Sequence, residues 1–547
     1  MRRSSLLSRL VCLFLLQFSL LLHQSPHWSS AQAAEAKRPN ILLIMADDMG
    51  YSDLGCYGGE IETPHLNQLA EGGLRFTQFY NTGRCCPTRA SLMTGLYPHE
   101  AGVGHMVYQD RGPGYHTALN RNCVTIAEAL KASGYRTMMT GKWHVGHQQG
   151  EWPADRGFEQ FYGIHIHVDS YFKVLPNCPV YHNRDLVIPP TENPPNTLHP
   201  NQEWYTTDVF TDWALKFLDE SRTDDRPFFQ YVAYNSPHWP LEAPEENLDH
   251  YRNQYNGGWD QLRAEKLQRM KQKGIVSQKT PLPPSNGPEW NSLSEENQKE
   301  LAFRRAIYAG QIERMDQNIG RLIAKLKEQN RLHNTLILFL SDNGCSAEKG
   351  KFGYKFKMNR IANFADWRNE SARSSSQGEV WSNASNTPFR RHKTWVHEGG
   401  IATPLIAHWP KVIENGGQLT HQPGHVIDIM TTCLDVANAK YPTEFQGHPI
   451  KPAPGVSLLQ TFQNPGKRIP RTLYWEHEGR AAVRVGSWKL TTLNARNPEK
   501  WELYDMSLVR NETQNLADKH PQRVQSMSRQ WTEWAKQANV LPWPNER

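Results

Sequence analysis

Four short runs along the chain are rich in apolar residues: NILLIMA (40–46), YRTMMTG (135–141), PFFQYVAY (227–234) and TLILFLS (335–341). A strand with one face in water alternates apolar and polar side chains, so these runs predict strands covered on both faces, as in a parallel sheet. Helical stretches precede two of them. VTIAEALKASG stops at Gly134, just before the second run, and AIYAGQIERMDQNIGRLIAKLKEQN, before the fourth, carries the i, i+3, i+4 recurrence of an amphipathic helix. The alternation predicts an α/β fold built on a large doubly wound sheet flanked by helices. Residues 274–296 and 369–387 lack strong periodicity, are rich in Pro, Ser, Gly or Asn, and read as surface excursions. After about residue 440 the pattern changes: RTLYWEHEGRAAVRVGSWKLTTL and WELYDM read as short strands joined by tight turns, and PQRVQSMSRQWTEWAKQA as a closing helix. This predicts a smaller α+β domain with an antiparallel sheet, and no internal repeat is visible.

Composition narrows the class. With 547 residues and 38% hydrophobic content, the chain can bury a large core and is longer than one domain usually is. The expected division is a signal peptide over 1–33, a catalytic domain over 37–440 and a C-terminal α+β subdomain over 441–547. The signal peptide rests on Arg2, Arg3 and Arg9, an apolar stretch from Leu10 to Leu22, and Ala31-Gln32-Ala33 as a cleavage site. That stretch is too short to span a bilayer and no later one reaches the ~20 apolar residues a spanning helix needs, so the expectation is an exported protein, periplasmic or secreted, without a stable membrane anchor. A net charge of +6, with bases and acids interspersed, gives no reason to expect nucleic acid as a partner. Beyond Cys12, seven cysteines at irregular spacing make no disulfide framework, and their odd number points to one thiol with another purpose.

The residues that follow the apolar runs carry the candidate chemistry. Asp47 and Asp48 follow the first, Lys142 and His144 the second, His238 the third, and Asp342 and Asn343 the fourth. Ligands of open α/β sheets bind outside the carboxyl ends of the strands, so these groups are expected to converge on one cleft. Asp47, Asp48, Asp342 and Asn343 offer only oxygen, which favours a hard cation, Ca²⁺ or alternatively Mg²⁺, over Zn²⁺. Lys142, Lys393, His144 and His238 would add positive charge and proton carriers, a set suited to an oxyanion. His397 and His408 read as structural. No Gly-x-Ser-x-Gly elbow supplies a serine nucleophile.

The stretch TGRCCPTRASLMTG (82–95) supplies the missing piece. With Cys85, Pro87, Arg89, Thr94 and Gly95 in place, it resembles the Cys-x-Pro-x-Arg signature of the sulfatase family. ADDMGYSDLGCYGG, GKWHVG, SPHWP, SDNG and KTWVHEGGIATP follow the family's other motifs in order. The resemblance implies an alkaline-phosphatase-like fold with a mixed sheet. It implies that Cys85 is converted to formylglycine (3-oxoalanine) by a formylglycine-generating or sulfatase-maturating enzyme, and that its hydrate attacks sulfur. Asp47, Asp48, Asp342 and Asn343, with residue 85, would hold the cation. Arg89 would steady the hydrate, Lys142, His238 and Lys393 would bind sulfate, His238 or Lys393 would protonate the leaving alcohol, and His144 would act as base in regenerating the aldehyde. The expected substrate is a sulfated saccharide or an aryl sulfate. The alternative is a phosphomonoester or phosphonate monoester hydrolase of the same superfamily. One departure concerns the leaving group: in EHEGRAAVR, Arg480 stands where such proteins commonly have asparagine and Ala481 where they have arginine.

Overall fold

The structure is a computed structural model that describes residues 38–354, 375–496 and 500–543, so the expected signal peptide lies outside the described residues. The four apolar runs form β1 (Asn40–Ala46), β3 (Arg136–Lys142), β7 (Phe228–Ala233) and β8 (Thr335–Ser341). They lie side by side in the order β8-β1-β7-β3 and run parallel. The sheet continues beyond β3 through β4 (Gln160–Ile164), β5 (Val180–His182) and β6 (Asp185–Ile188). Beyond β8 it continues through β9 (Ala402–His408), β2 (Leu74–Tyr80), β10 (Gln418–Thr420) and β11 (Gly424–His425). β9 runs against both β8 and β2, which makes the sheet mixed.

Alternate side chains of β1 enter different cores. Leu42 and Ile44 pack on one face with residues of the helices Thr206–Glu220 and Glu295–Glu328. Ile41, Leu43 and Met45 pack on the other with the helices Cys85–Thr94, Ile126–Ala132 and Ile427–Val436. Burial on both faces is why these strands read as unbroken apolar runs. The expected doubly wound α/β architecture is thus present, with helices on both sides.

A short ladder of β12 (Glu444–Phe445) and β13 (His448–Pro449) precedes an antiparallel sheet of β14 (Thr472–His477), β15 (Arg480–Val485), β16 (Trp488–Thr492) and β17 (Glu502–Asp505). The helix Pro521–Gln537 covers this sheet, with Trp534 stacked on Tyr474 at 5.0 Å. Buried charge joins the sheet to the main body. Lys489 on β16 lies 3.0 Å from Glu398 and 2.7 Å from Glu512, while Arg510 and the Tyr80 hydroxyl hold the other Glu398 oxygen at 2.8 and 3.1 Å.

One expectation is corrected. Residues 369–374 of the second proposed surface excursion lie outside the described residues, but 375–387 are buried except for the half-buried Glu379, and Gly378–Ser385 forms a helix. Its Trp381 meets Trp259 at 5.5 Å and Trp290 at 5.9 Å. Polar groups in and beside it have internal partners: Ser382 donates to the Cys345 carbonyl at 2.7 Å, and the side chain of Asn386, at its C-terminal cap, accepts from the Cys345 amide at 3.0 Å. Satisfied polar groups bury without penalty, so a Ser- and Asn-rich composition disguised a packed element.

Candidate active site

The strand ends do converge. Ala46 pairs with Ser341, Met45 with Ala233, and Ala233 with Gly141, so β1, β8, β7 and β3 finish level with one another. Backbone bonds lace the segments that follow: the Asp47 amide donates to the Ser236 carbonyl at 2.9 Å, and the Asp342 amide to Ala46 at 3.1 Å. Asp48 and His144 both turn with positive φ, 67° and 61°, which bends the chain sharply off its strand at each position. Gly344 allows the Lys393 loop to approach, because a Cβ there would sit 1.8 Å from the Gly399 carbonyl oxygen.

Cys85 begins the buried helix Cys85–Thr94, a position where the helix dipole favours a thiolate. A hydrogen bond with Cys86, together with Lys142 and His144 nearby, holds the Cys85 thiol well below its ordinary pKa despite burial. Burial and the neighbouring Cys85 push Cys86 well up, so the two adjacent thiols differ in kind. Arg89, one helical turn on, is fully buried and donates to Asp342 Oδ2 at 2.8 and 3.2 Å and to the Lys142 carbonyl at 3.0 Å. It therefore ties the ends of β8 and β3 to the Cys85 helix.

The carboxylates are crowded and buried. Lys142 donates to Asp47 Oδ2 at 2.5 Å, Lys393 to Asp48 Oδ2 at 2.9 Å, and Asn343 Nδ2 to Asp48 Oδ1 at 2.6 Å. Burial opposes the Asp47 charge, yet Lys142, His238 and Arg89 keep its pKa well below the carboxylate range. Asp342 goes the other way: burial and the negative Asp47 raise it well above that range in spite of Arg89. Among the described residues, Asp47 Oδ1 and Asn343 Oδ1 are buried without a hydrogen-bond partner. Unmet buried oxygens beside crowded carboxylates fit a hard cation, and Asp47, Asp48, Asp342 and Asn343 could hold one. His238 also stands close, with a ring nitrogen within 4.8 Å of an Asp47 and an Asp48 oxygen.

The histidines differ in setting. Burial and Lys142 bring His144 down to about 3, so its imidazole is neutral and able to accept a proton. His238 is also lowered by burial, and its Nδ1 faces the Trp239 carbonyl at 2.5 Å, which leaves Nε2 3.6 Å from Asp48. Lys393 keeps its proton firmly, since Asp48 and Glu348 outweigh the cost of its burial.

All the residues expected from the sequence thus meet at one place, and comparison with known proteins gives the place an identity. The profile of the sulfatase family matches residues 39–439, and that of the C-terminal region of N-sulphoglucosamine sulphohydrolase matches 390–537. The chain belongs to the sulfatase family. An uncharacterized sulfatase of Schizosaccharomyces pombe is 31% identical over 551 residues, 94% of this chain and 96% of the relative. An arylsulfatase of Klebsiella aerogenes is 33% identical over 78% of this chain and 93% of its own length. The crystal structure of Ps i-CgsB in complex with k-i-k-neocarrahexaose superposes with a TM-score of 0.65 at 24% identity, over 93% of this chain and 96% of that one. This sulfatase is of type I in the alkaline phosphatase superfamily, a sulfuric ester hydrolase.

Sequence reasoning passed over several residues of the sulfatase's pocket. Tyr108 is 55% exposed, yet its hydroxyl lies 3.2 Å from Nε2 of His144 and 3.0 Å from His167. Glu348 lies 3.6 Å from Lys393 and 3.9 Å from Arg84. These residues lie on loops without periodicity, and only the nearness of Tyr108 to the PHEAGVGHM segment offered a signal.

Proposed function

We propose that the protein hydrolyses the sulfate ester of a saccharide, using a nucleophile made from Cys85 and a calcium ion held by Asp47, Asp48, Asp342, Asn343 and residue 85. The observation that carries this reading is the activated, buried Cys85 at a helix N-terminus beside unmet carboxylate and amide oxygens. Converted to formylglycine, residue 85 would supply a hydrated aldehyde, with one hydroxyl to attack sulfur and a second that lets sulfate leave by elimination. A bound Ca²⁺ would polarise the sulfate and lower the pKa of the attacking hydroxyl.

The chain's own residues do the rest. Lys142, His238 and Lys393 surround the sulfate with donors. Arg89 keeps Asp342 aimed at the cation through its paired hydrogen bonds. Neutral His144 takes the proton from the second hydroxyl. Lys393 or His238 gives one to the departing alcohol, a step that matters for a sugar and little for an activated phenol. A saccharide is favoured because Ps i-CgsB, of the same fold, binds a carrageenan-type oligosaccharide. Residues 37–440 would form the catalytic domain and 441–547 its C-terminal partner. Export after loss of residues 1–33 rests on the cationic start, the apolar stretch and the small-residue cleavage site of the sequence.

The test separates the two half-reactions. His144→Ala should release one equivalent of alcohol in a burst and then stall with sulfate retained on the protein. His238→Ala and Lys393→Ala should show no burst, and the variant of the proton donor should lose far more with a sugar sulfate than with 4-nitrophenyl sulfate. Absence of a burst in His144→Ala would refute the assignment of that base.

A further inference from the structure

Each turnover of a sulfate monoester leaves a proton over: R–OSO₃⁻ and H₂O give R–OH, SO₄²⁻ and H⁺, because sulfate is too weak a base to keep it. The proton lost on attack at sulfur is balanced by the one the alcohol gains. The surplus comes from the second hydroxyl, whose O–H bond breaks as its electron pair closes the C=O bond and the C–O bond to sulfate leaves with its own pair. In the chemistry proposed above His144 receives that proton. His144 is buried, so the proton needs a way out before the next cycle.

Among the described residues, Nδ1 of His144 has no hydrogen-bond partner, and Nε2 faces the Tyr108 hydroxyl at 3.2 Å. That hydroxyl also lies 3.0 Å from Nδ1 of His167, and Nε2 of His167 lies 3.0 Å from Asp169 Oδ1. The His167 and Asp169 side chains are partly exposed and Tyr108 is exposed, so the row leads from a buried base to the surface. It also belongs to the reaction centre. A ring nitrogen of His144 lies within 4.8 Å of Cys85 Sγ, and the His167 ring stands 6.0 Å from that of His144 and 6.3 Å from that of His238.

The hydrogen bonds of the row can all point outward. Burial opposes the Asp169 charge, yet its bond to His167 holds its pKa below the usual carboxylate range, so Asp169 accepts. Nε2 of His167 then carries a hydrogen, and Nδ1 keeps a lone pair for the Tyr108 hydroxyl. The Tyr108 oxygen, donating outward, is left to accept from Nε2 of His144. Burial and the neighbouring Cys86 and Cys85 push the Tyr108 hydroxyl up, so it hands its proton on only as it receives another. Resting on the function proposed above, we infer that Tyr108 and His167, backed by Asp169, pass to solvent the proton that His144 takes up in each turnover. One bond forms for each that breaks: the hydrogen on His144 Nε2 goes to the Tyr108 oxygen, the Tyr108 hydrogen to Nδ1 of His167, and the hydrogen on Nε2 of His167 to water. Both residues act through His144 and are positioning residues.

The experiment uses full-length enzyme with residue 85 converted. It follows 4-nitrophenol release from 4-nitrophenyl sulfate or, where that ester is not turned over, sugar release from the monosulfates of galactose and N-acetylgalactosamine. The alcohol leaves before the relay acts, so kcat/KM reports steps that do not need it. Tyr108→Phe should keep the first-turnover burst of alcohol and the wild-type kcat/KM, while kcat and KM fall together about 10-fold or more. Raising the concentration of imidazole buffer at fixed pH and ionic strength should restore kcat in this variant and leave wild type unchanged. His167→Gln should behave alike, and the double variant should be no slower than the slower single one, because the row works as a unit. Wild-type kcat in both single variants, a fall in kcat/KM as large as that in kcat, or a loss that imidazole does not relieve would overturn the relay while leaving the proposed chemistry in place. Failure of the wild type to hydrolyse any of these esters would overturn both.

Discussion

Two buried charge clusters in this molecule use the same side chains to opposite ends. At the strand ends Asp47, Asp48 and Asp342 stand together with Lys142, Lys393 and Arg89, and at the docking of the C-terminal sheet Glu398 and Glu512 stand with Lys489 and Arg510. In the second cluster both Glu398 oxygens have partners, and Lys489, Arg510 and Arg484 outweigh burial and hold its pKa at about 2. In the first, oxygens of Asp47 and Asn343 are unmet, and burial together with Asp47 raises Asp342. In the second cluster the atoms without a hydrogen bond, Arg510 Nε and Glu512 Oε1, belong to side chains already ion-paired within it, whereas the first leaves acceptor oxygens open beside its carboxylates. Open acceptors suit a group that arrives later.

The sharpest way to break the comparison is at the nucleophile. Cys85→Ala should lower sulfate ester turnover by about 10⁴-fold or more without changing the fold, as measured by initial rates and circular dichroism. Cys86→Ala should be nearly silent. Peptide mass analysis from a converting host should find the exchange of H₂S for oxygen on residue 85 and none on residue 86. Finding the reverse would relocate the centre.

Next comes the cation. Chelation should abolish activity, and Ca²⁺ should restore it better than Zn²⁺ because the donors are all oxygen. Asp342→Asn should lose metal content and rate together, about 10²-fold or more, while the melting temperature of the chelated protein stays nearly unchanged, since it removes a crowded charge and still offers Arg89 an oxygen. A variant that kept both metal and rate would show that the cation sits elsewhere.

The closed cluster should respond in the opposite way. Lys489→Met leaves Glu398 and Glu512 without their common cation and should cost about 3–5 kcal/mol in urea unfolding. Turnover per folded molecule should be almost untouched. The smallest effect is on acid stability. The folded-state pKa of Glu398 is depressed from the ordinary 4.5 to about 2, so its contribution is fully present above the unfolded value and fades as pH falls through about 2. Lys489→Met should therefore flatten the acid limb of the unfolding midpoint plotted against pH. An acid limb as steep as wild type would mean that Glu398 does not supply it.

Much of the reaction centre was legible in the sequence, because each strand buried on both faces is a short apolar run and the residue after it declares itself. Asp47, Lys142, His144, His238 and Asp342 were all found this way. Lys393 has no such run before it, and only the resemblance ties it to sulfate. What Arg89 does was hidden by distance along the chain, since its partner Asp342 lies 253 residues away. The reversed direction of β9 could not be read either, because a strand buried on both faces has the same composition whichever way it runs. Gly378–Ser385 escaped through polar residues such as Ser382, which is satisfied internally and looks solvent-facing on the page.

The turn at Glu478-Gly479 separates what must stay from what can change. The residues proposed for catalysis lie before residue 394, most of them at the ends of the central strands, whereas the turn is a two-residue link at the tip of a separate hairpin. Lengthening, shortening or recharging that tip would change the ion pairs Glu478 makes with Arg84 and Arg480 without displacing a strand end. The molecule thus joins a small adjustable part to a fixed engine.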